Sequence, residues 1–200
     1  MNIRITSRSV KFTTARHIEL NNVPKSATPA DIRRLLWRSK VQDIQDVSII
    51  YKGFMPTGRA LLTLNKPNFL RDNMRALENA SISGIRVYSG VRMVDGDKQL
   101  AFGDGPHANT FNEGKNVLLW NLPRRTQFST ITPLLKGFAL ADCKEPIQKV
   151  KIDEFTFLSR FLIRLVDESE AHRLVRALHM TDLEPEKHGR AHPVRAHVVY

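Results

Sequence analysis

The side chains with chemistry to offer are cations and flat rings: Arg59, Arg86, Lys149, Lys151, Arg160, Arg164 and Arg195, with Tyr88 and Trp120 among them. Guanidinium and ammonium groups hold phosphate-like anions by charge and N–H donation, and a guanidinium or an indole can also stack on a planar ring. These residues lie in stretches where apolar and polar positions alternate, so period-two geometry collects them on one face of a sheet. In the second half that face would display Trp120, Lys149, Lys151, Arg160, Arg164, Arg195 and His197 around Leu118 and Leu162. In the first half it would display Asn21, Arg59, Arg86 and Tyr88, together with Glu19, which repels anions. The second half is therefore the stronger expected contact. Simpler readings stand beside these: Trp120 as a covered packing residue, each arginine as the partner of a neighbouring carboxylate, and Trp37 as core or helix-face packing.

The bulk charge points the same way. A net charge of +11 and a pI near 10.2 favour a polyanionic partner, because cations gain by displacing counterions from phosphates. Cys143 is the single cysteine, which excludes an intramolecular disulfide frame and fits a reducing compartment. No apolar run is long enough to insert in a bilayer. Catalysis is not expected: there is no phosphate-cradling loop ending in Lys-Ser/Thr, Gly103-Asp104-Gly105 lacks the flanking strand and helix, and His188 and His192 are separated by Gly189. No cofactor, metal or small-molecule substrate is implied.

The elements that must position these groups occur twice. Asn22-Val23-Pro24 returns as Asn121-Leu122-Pro123, Arg59-Ala60-Leu61-Leu62 as Arg160-Phe161-Leu162-Ile163, and Arg75-Ala76-Leu77 as Arg176-Ala177-Leu178, at spacings of about 100 residues. Within the first copy, strands are expected at His17 to Val23, Asp46 to Lys52, Arg59 to Leu64 and Ile85 to Val91. Gly53 to Gly58 would be the turn. Helices are expected from Pro29, capped by Thr28, and from Asn68. The second copy repeats the order, with strands at Val117 to Leu122, Gln148 to Glu154, Arg160 to Val166 and Val194 to Val199. Its helices span Ser129 to Leu140 and Glu168 to His179, and an insertion, Thr181 to Pro193, lies outside the sheet.

Four segments result: a basic leader (1–16), a first domain (17–91), a linker (92–115) and a second domain (116–200). The leader carries Arg4, Arg8, Lys11 and Arg16 and no acid, the pattern of a mitochondrial transit peptide or of a basic arm. The linker is flexible in composition, unless Leu100, Phe102 or Phe111 docks on a domain.

At these positions the chain resembles a tandem RNA-recognition-motif protein. The two motifs of that family correspond here to Ile18-Glu19-Leu20-Asn21-Asn22-Val23 with Thr57 through Leu64, and to Val117-Leu118-Leu119-Trp120-Asn121-Leu122 with Leu158 through Leu165. The resemblance implies an α+β fold of two ferredoxin-like βαββαβ domains, each a four-stranded antiparallel sheet backed by two helices. It also implies RNA as the partner, single-stranded or ribosomal, and other ribonucleoprotein subunits. The family's base-stacking aromatics are replaced by Glu19, Arg59 and Leu61 in one copy and by Leu118, Arg160 and Leu162 in the other. Two readings stay open: a non-catalytic RNA-binding protein of mitochondrial RNA metabolism, translation or ribosome assembly, or a protein-interaction module using Leu61, Leu118 and Leu162 as apolar contacts. The leader leaves the mitochondrial matrix and the nucleus or cytoplasm as alternatives.

Overall fold

The computed structural model describes residues 15–92, 100–111, 113–150, 158–188 and 192–200, and the chain divides into two units between Asn109 and Thr110. The leader's residues 1–14 lie outside the described residues.

The first unit runs β1 (His17–Asn21), α1 (Pro29–Arg38), β2 (Ile44–Lys52), β3 (Met55–Leu64), α2 (Leu70–Ala76), β4 (Ser81–Ile82), β5 (Ile85–Arg86), β6 (Tyr88–Arg92) and β7 (Gly105–Pro106). The main sheet has the order β6-β1-β3-β2-β7 and is antiparallel throughout. Helix α1 starts at a capping box: the Thr28 hydroxyl accepts from Asp31 N at 3.3 Å, and Thr28 N donates to Asp31 Oδ2 at 2.9 Å. Those bonds from Thr28 hold the Asp31 carboxyl below the usual carboxylate range. Ile32, Leu35 and Leu36 form the buried stripe of α1, packed on a sheet whose inner face carries Ile18, Leu20, Ala60, Leu62 and Leu64.

Two boundaries differ from expectation, each for a backbone reason. The β2–β3 turn closes in two residues, Gly53 and Phe54, with φ of 54° and 64°, so the strand begins at Met55 rather than Arg59. The extra residues are absorbed by a bulge at Gly58, where φ is 77° and a Cβ would come within 3.2 Å of Val23 O. The single strand expected from Ile85 to Val91 is two: Ile85–Arg86 pairs back on Ser81–Ile82 through left-handed Ser83 and Gly84, and Tyr88–Arg92 pairs with β1.

Of the two options open for the linker, residues 100–109 take the docked one, through Phe102. Leu100 to Asn109 belongs to the first unit, and Gly105–Pro106 pairs with Tyr51 and Ile50 as a fifth strand. Phe54 organises the docking: its ring is fully buried and meets Phe102 edge-on at 4.9 Å, and its N–H donates to Gly103 O at 2.8 Å. Gly53 N donates to Asp104 Oδ1 at 2.6 Å. A Cβ at Gly103 would lie 2.7 Å from the Phe54 ring, so this glycine serves close packing and not flexibility.

The second unit runs β8 (Asn116–Pro123), α3 (Phe128–Leu134), β9 (Ile147–Val150), β10 (Leu158–Arg164), α4 (Glu168–Leu178), α5 (Pro185–His188) and β11 (Arg195–Val199), with sheet order β11-β8-β10-β9. Its core joins Val117, Leu119 and Leu122 to Phe161, Ile163, Ile131, Ala171 and Leu174. Helix α3 stops short of the expected Leu140, because Pro133 sits in its last turn and Gly137 is left-handed at φ 89°. The insertion returns Leu183 to the core, and Val194 N donates to Thr181 O at 2.7 Å.

The duplicated Asn-aliphatic-Pro signature has one structural job in both units. Asn22 and Asn121 are left-handed, with φ of 62° and 64°, at the end of the first strand. Asn22 Nδ2 donates to Arg86 O at 2.8 Å and Asn121 Nδ2 to Pro193 O at 2.9 Å, which ties that turn to the entry of the last main-sheet strand. Asparagine tolerates this conformation and brings the donor.

Candidate nucleic-acid interface

In the second unit β8 lies between β11 and β10, and the register assigns a face to every candidate. Leu118 stands opposite Leu162 and His197, Trp120 opposite Arg195, and Asn116 opposite Arg164. The intervening residues Val117, Leu119, Phe161, Ile163, Ala196 and Val198 enter the core beneath the helices, so the first set occupies the other face. Arg160, two residues before Leu162, joins it. Trp120, Arg160, Arg195 and His197 are half-buried there. This is a cationic surface around one indole, as alternation predicts.

Two members of the expected set behave differently. Lys149 pairs in register with Phe161, a core residue, and therefore lies on the helix side. Its ammonium donates to Thr126 O at 2.9 Å and sits 5.6 Å from the Phe161 ring centroid. Gln148 and Val150 take the open-face positions of β9 instead, opposite Leu162 and Arg160. One residue of register separates the two outcomes, since a strand's side chains alternate faces. Lys151 lies outside the described residues. Arg164 is on the open face but engaged, donating to Glu145 O and, at 2.6 Å, to Gln148 Oε1.

The apolar contacts expected on the open faces are absent as contacts. Leu118 and Leu162 are 0% exposed and Leu61 is 6% exposed. None of the three offers a surface for a partner helix or tail.

In the first unit the cations of the same face are engaged by a carboxylate. Glu19, whose side chain is 16% exposed, receives Arg59 at 3.1 Å and Arg92 at 3.2 Å, so the carboxylate is satisfied by two guanidiniums. Arg92 had been assigned by sequence to the linker; β6 carries it opposite His17. Burial, with Arg92 and Arg16 nearby, holds the His17 imidazole below its usual pKa. Tyr88 stands opposite Asn21 and is 55% exposed. Arg86 is not on the main sheet: it sits in the β4–β5 hairpin, donates to Glu78 O at 3.1 Å and Asn79 Oδ1 at 3.3 Å, and lies 5.7 Å from the Tyr88 ring centroid.

Sequence reasoning also misplaced Trp37. Among the described residues it is left on the surface: the indole is 85% exposed on the outer side of α1. The signal was in the helical wheel, where Ile32, Leu35 and Leu36 complete the apolar stripe and leave Trp37 off it.

No family model matches this sequence, and no curated protein matches it. Among solved structures, the chain is similar to RNA recognition domains 1 and 2 of Sex-lethal from Drosophila melanogaster, at 14% identity over 92% of this chain and 99% of that one, with a TM-score of 0.35. It is similar to the first two RRM domains of the yeast poly(U) binding protein at 13% identity, 92% and 99% coverage and a TM-score of 0.35. The N-terminal three RNA binding domains of a yeast splicing factor, Prp24, match at 15% identity over 94% of this chain and 67% of that one, with a TM-score of 0.34. What assigns the fold is internal to the chain: two antiparallel sheets in which β1 and β8 are flanked by the same neighbours, two helices behind each, and one asparagine closure repeated. By that strand order and repeat, the chain is a tandem pair of ferredoxin-like βαββαβ folds.

Proposed function

We propose that this protein is a non-catalytic RNA-binding protein whose principal contact is the open sheet face of the second unit, acting in mitochondrial RNA metabolism, translation or ribosome assembly. The observation that carries the reading is the register that brings Arg160, Arg195 and His197 around Trp120 on the face opposite the core. The cations hold phosphates, and the indole stacks on a base without asking which base it is. Arg164 contributes charge while its bonds to Glu145 and Gln148 keep the edge of the face in order. Sequence preference is modest and salt dependence steep in this mode of binding.

The test is filter binding of a mixed-sequence single-stranded RNA at two salt concentrations, comparing the full chain with Arg160→Ala plus Arg195→Ala. The double variant loses at least tenfold in affinity and has a shallower salt slope; unchanged affinity overturns the reading. The mitochondrial assignment rests on the basic, acid-free leader alone. Imaging of fluorescent fusions with and without residues 1–16 checks it: loss of mitochondrial signal on deletion is expected, and identical distribution of both fusions refutes it.

A further inference from the structure

We propose a second RNA contact on the helix layer of the first unit, built on Trp37, which goes beyond the sheet-face reading while resting on RNA as the ligand. With Ile32, Leu35 and Leu36 buried, the opposite side of α1 presents Ala30, Arg33, Arg34, Trp37 and Arg38 to solvent. Helical spacing sets Arg33 and Arg34 one turn before Trp37, on either side of it, since residues three and four apart are neighbours. Ala30 lies a further turn back and leaves the approach to the ring unobstructed. Lys40, exposed just past the helix end, adds a fourth cation beyond Arg33, Arg34 and Arg38.

Burying an indole is worth more than burying almost any other side chain, so a tryptophan 85% exposed on an ordered helix is a large unused stacking surface. Its surroundings choose the partner. Asp31 is the acid on this helix, and its charge is already engaged by Arg34 at 3.0 Å and by the Thr28 cap. Arg38 is oriented toward the β4–β5 hairpin by donation to Ser81 O at 2.5 Å. Arg33 and Lys40 have no ion pair among the described residues. A flat ring beside Arg33, with Lys40 beyond the helix end and the one carboxylate of the helix held by Arg34 and Thr28, matches a nucleotide: a base on the indole and its phosphates on Arg33 and Lys40. Helix α3 in the second unit, FSTITPL, has neither the tryptophan nor the cations.

Each unit contains one tryptophan, so each can be read separately. In full-length Trp120→Phe the remaining fluorescence reports Trp37; in full-length Trp37→Phe it reports Trp120. Titration uses a mixed-sequence single-stranded RNA oligonucleotide. The expected result is saturable quenching of Trp37, weakened about tenfold by Arg33→Glu plus Lys40→Glu, which turn two phosphate contacts into repulsions. That quenching persists when Arg160→Ala and Arg195→Ala are added, which separates this site from the sheet face. If Trp120 is quenched but Trp37 is not, the helix site is overturned, its surface is assigned to a protein partner, and the sheet-face reading stands. If Trp37 responds and Trp120 does not, the sheet-face reading fails and this one stands. If RNA quenches neither and is not retained on filters, both are wrong.

Discussion

The two units share a backbone plan and place their chemistry on opposite layers. In the first, the sheet face spends Arg59 and Arg92 on Glu19, while the helix layer exposes Trp37 among cations. In the second, the position equivalent to Glu19 is Leu118, fully buried, and the central strand β8 carries no carboxylate of its own. What the copies retained is what the backbone demands: a left-handed asparagine at Asn22 and Asn121, bonded to the chain entering the last main-sheet strand. What they changed is what the backbone does not constrain, the side chains on faces away from the core.

The largest effect that could break this comparison is on RNA affinity. Arg160→Ala plus Arg195→Ala is expected to weaken binding at least tenfold and to lower the salt slope by about two, whereas Arg59→Ala plus Arg92→Ala costs less, because Glu19 already holds both guanidiniums and offsets one of their two charges. Equal losses from both pairs would erase the distinction between the sheets. Next comes stability: Asn22→Ala and Asn121→Ala each remove the turn's side-chain hydrogen bond and force an alanine into the left-handed region, at about 1–3 kcal/mol apiece. Denaturant midpoints of the two variants should fall by similar amounts, and a loss confined to one would mean that the motif is shared in sequence only.

A smaller change sharpens the contrast from the other side. Glu19→Gln releases Arg59 and Arg92 and should raise RNA affinity a few-fold while steepening the salt slope, measured by the same filter assay. The least of the four concerns acid. Asp31 titrates below its ordinary value of 3.8 in the folded protein, so its cap contributes stability above that pH and loses it as the pH falls through the folded-state value. Asp31→Asn should therefore flatten the acid side of the stability profile by about 0.5–1 kcal/mol, the value of an N-cap interaction, with neutral-pH RNA binding by the second unit intact.

Much of the plan was legible because periodicity and capping are local. Thr28-Pro29 announces α1, alternation announces β1, β3, β8 and β10, and a repeated asparagine announces the duplication. Arg160, Arg164, Arg195 and Trp120 fell on the expected face for the same reason. The failures were cases where a distant contact decides. Lys149 has the right spacing for the open face only if β9 is read one residue out of register, and the partner strand, not β9 itself, sets that register. Arg86 was drawn off the sheet by a second small hairpin. Gly103 and Gly105 read as flexible because glycine content is ambiguous: it marks a loose chain or a tight fit, and Phe54, fifty residues away, is what makes it a fit.

The strand formed by Gly105 and Pro106 has a consequence for how molecules of this protein meet one another. It occupies the outer rim of β2 at Ile50 and Tyr51, where hydrogen-bonding groups would otherwise recruit a foreign chain. Its own outward side ends in a proline, which has no amide hydrogen to offer. Strand addition at Ile50 and Tyr51 is thus obstructed by two residues that the sequence seemed to spend on nothing.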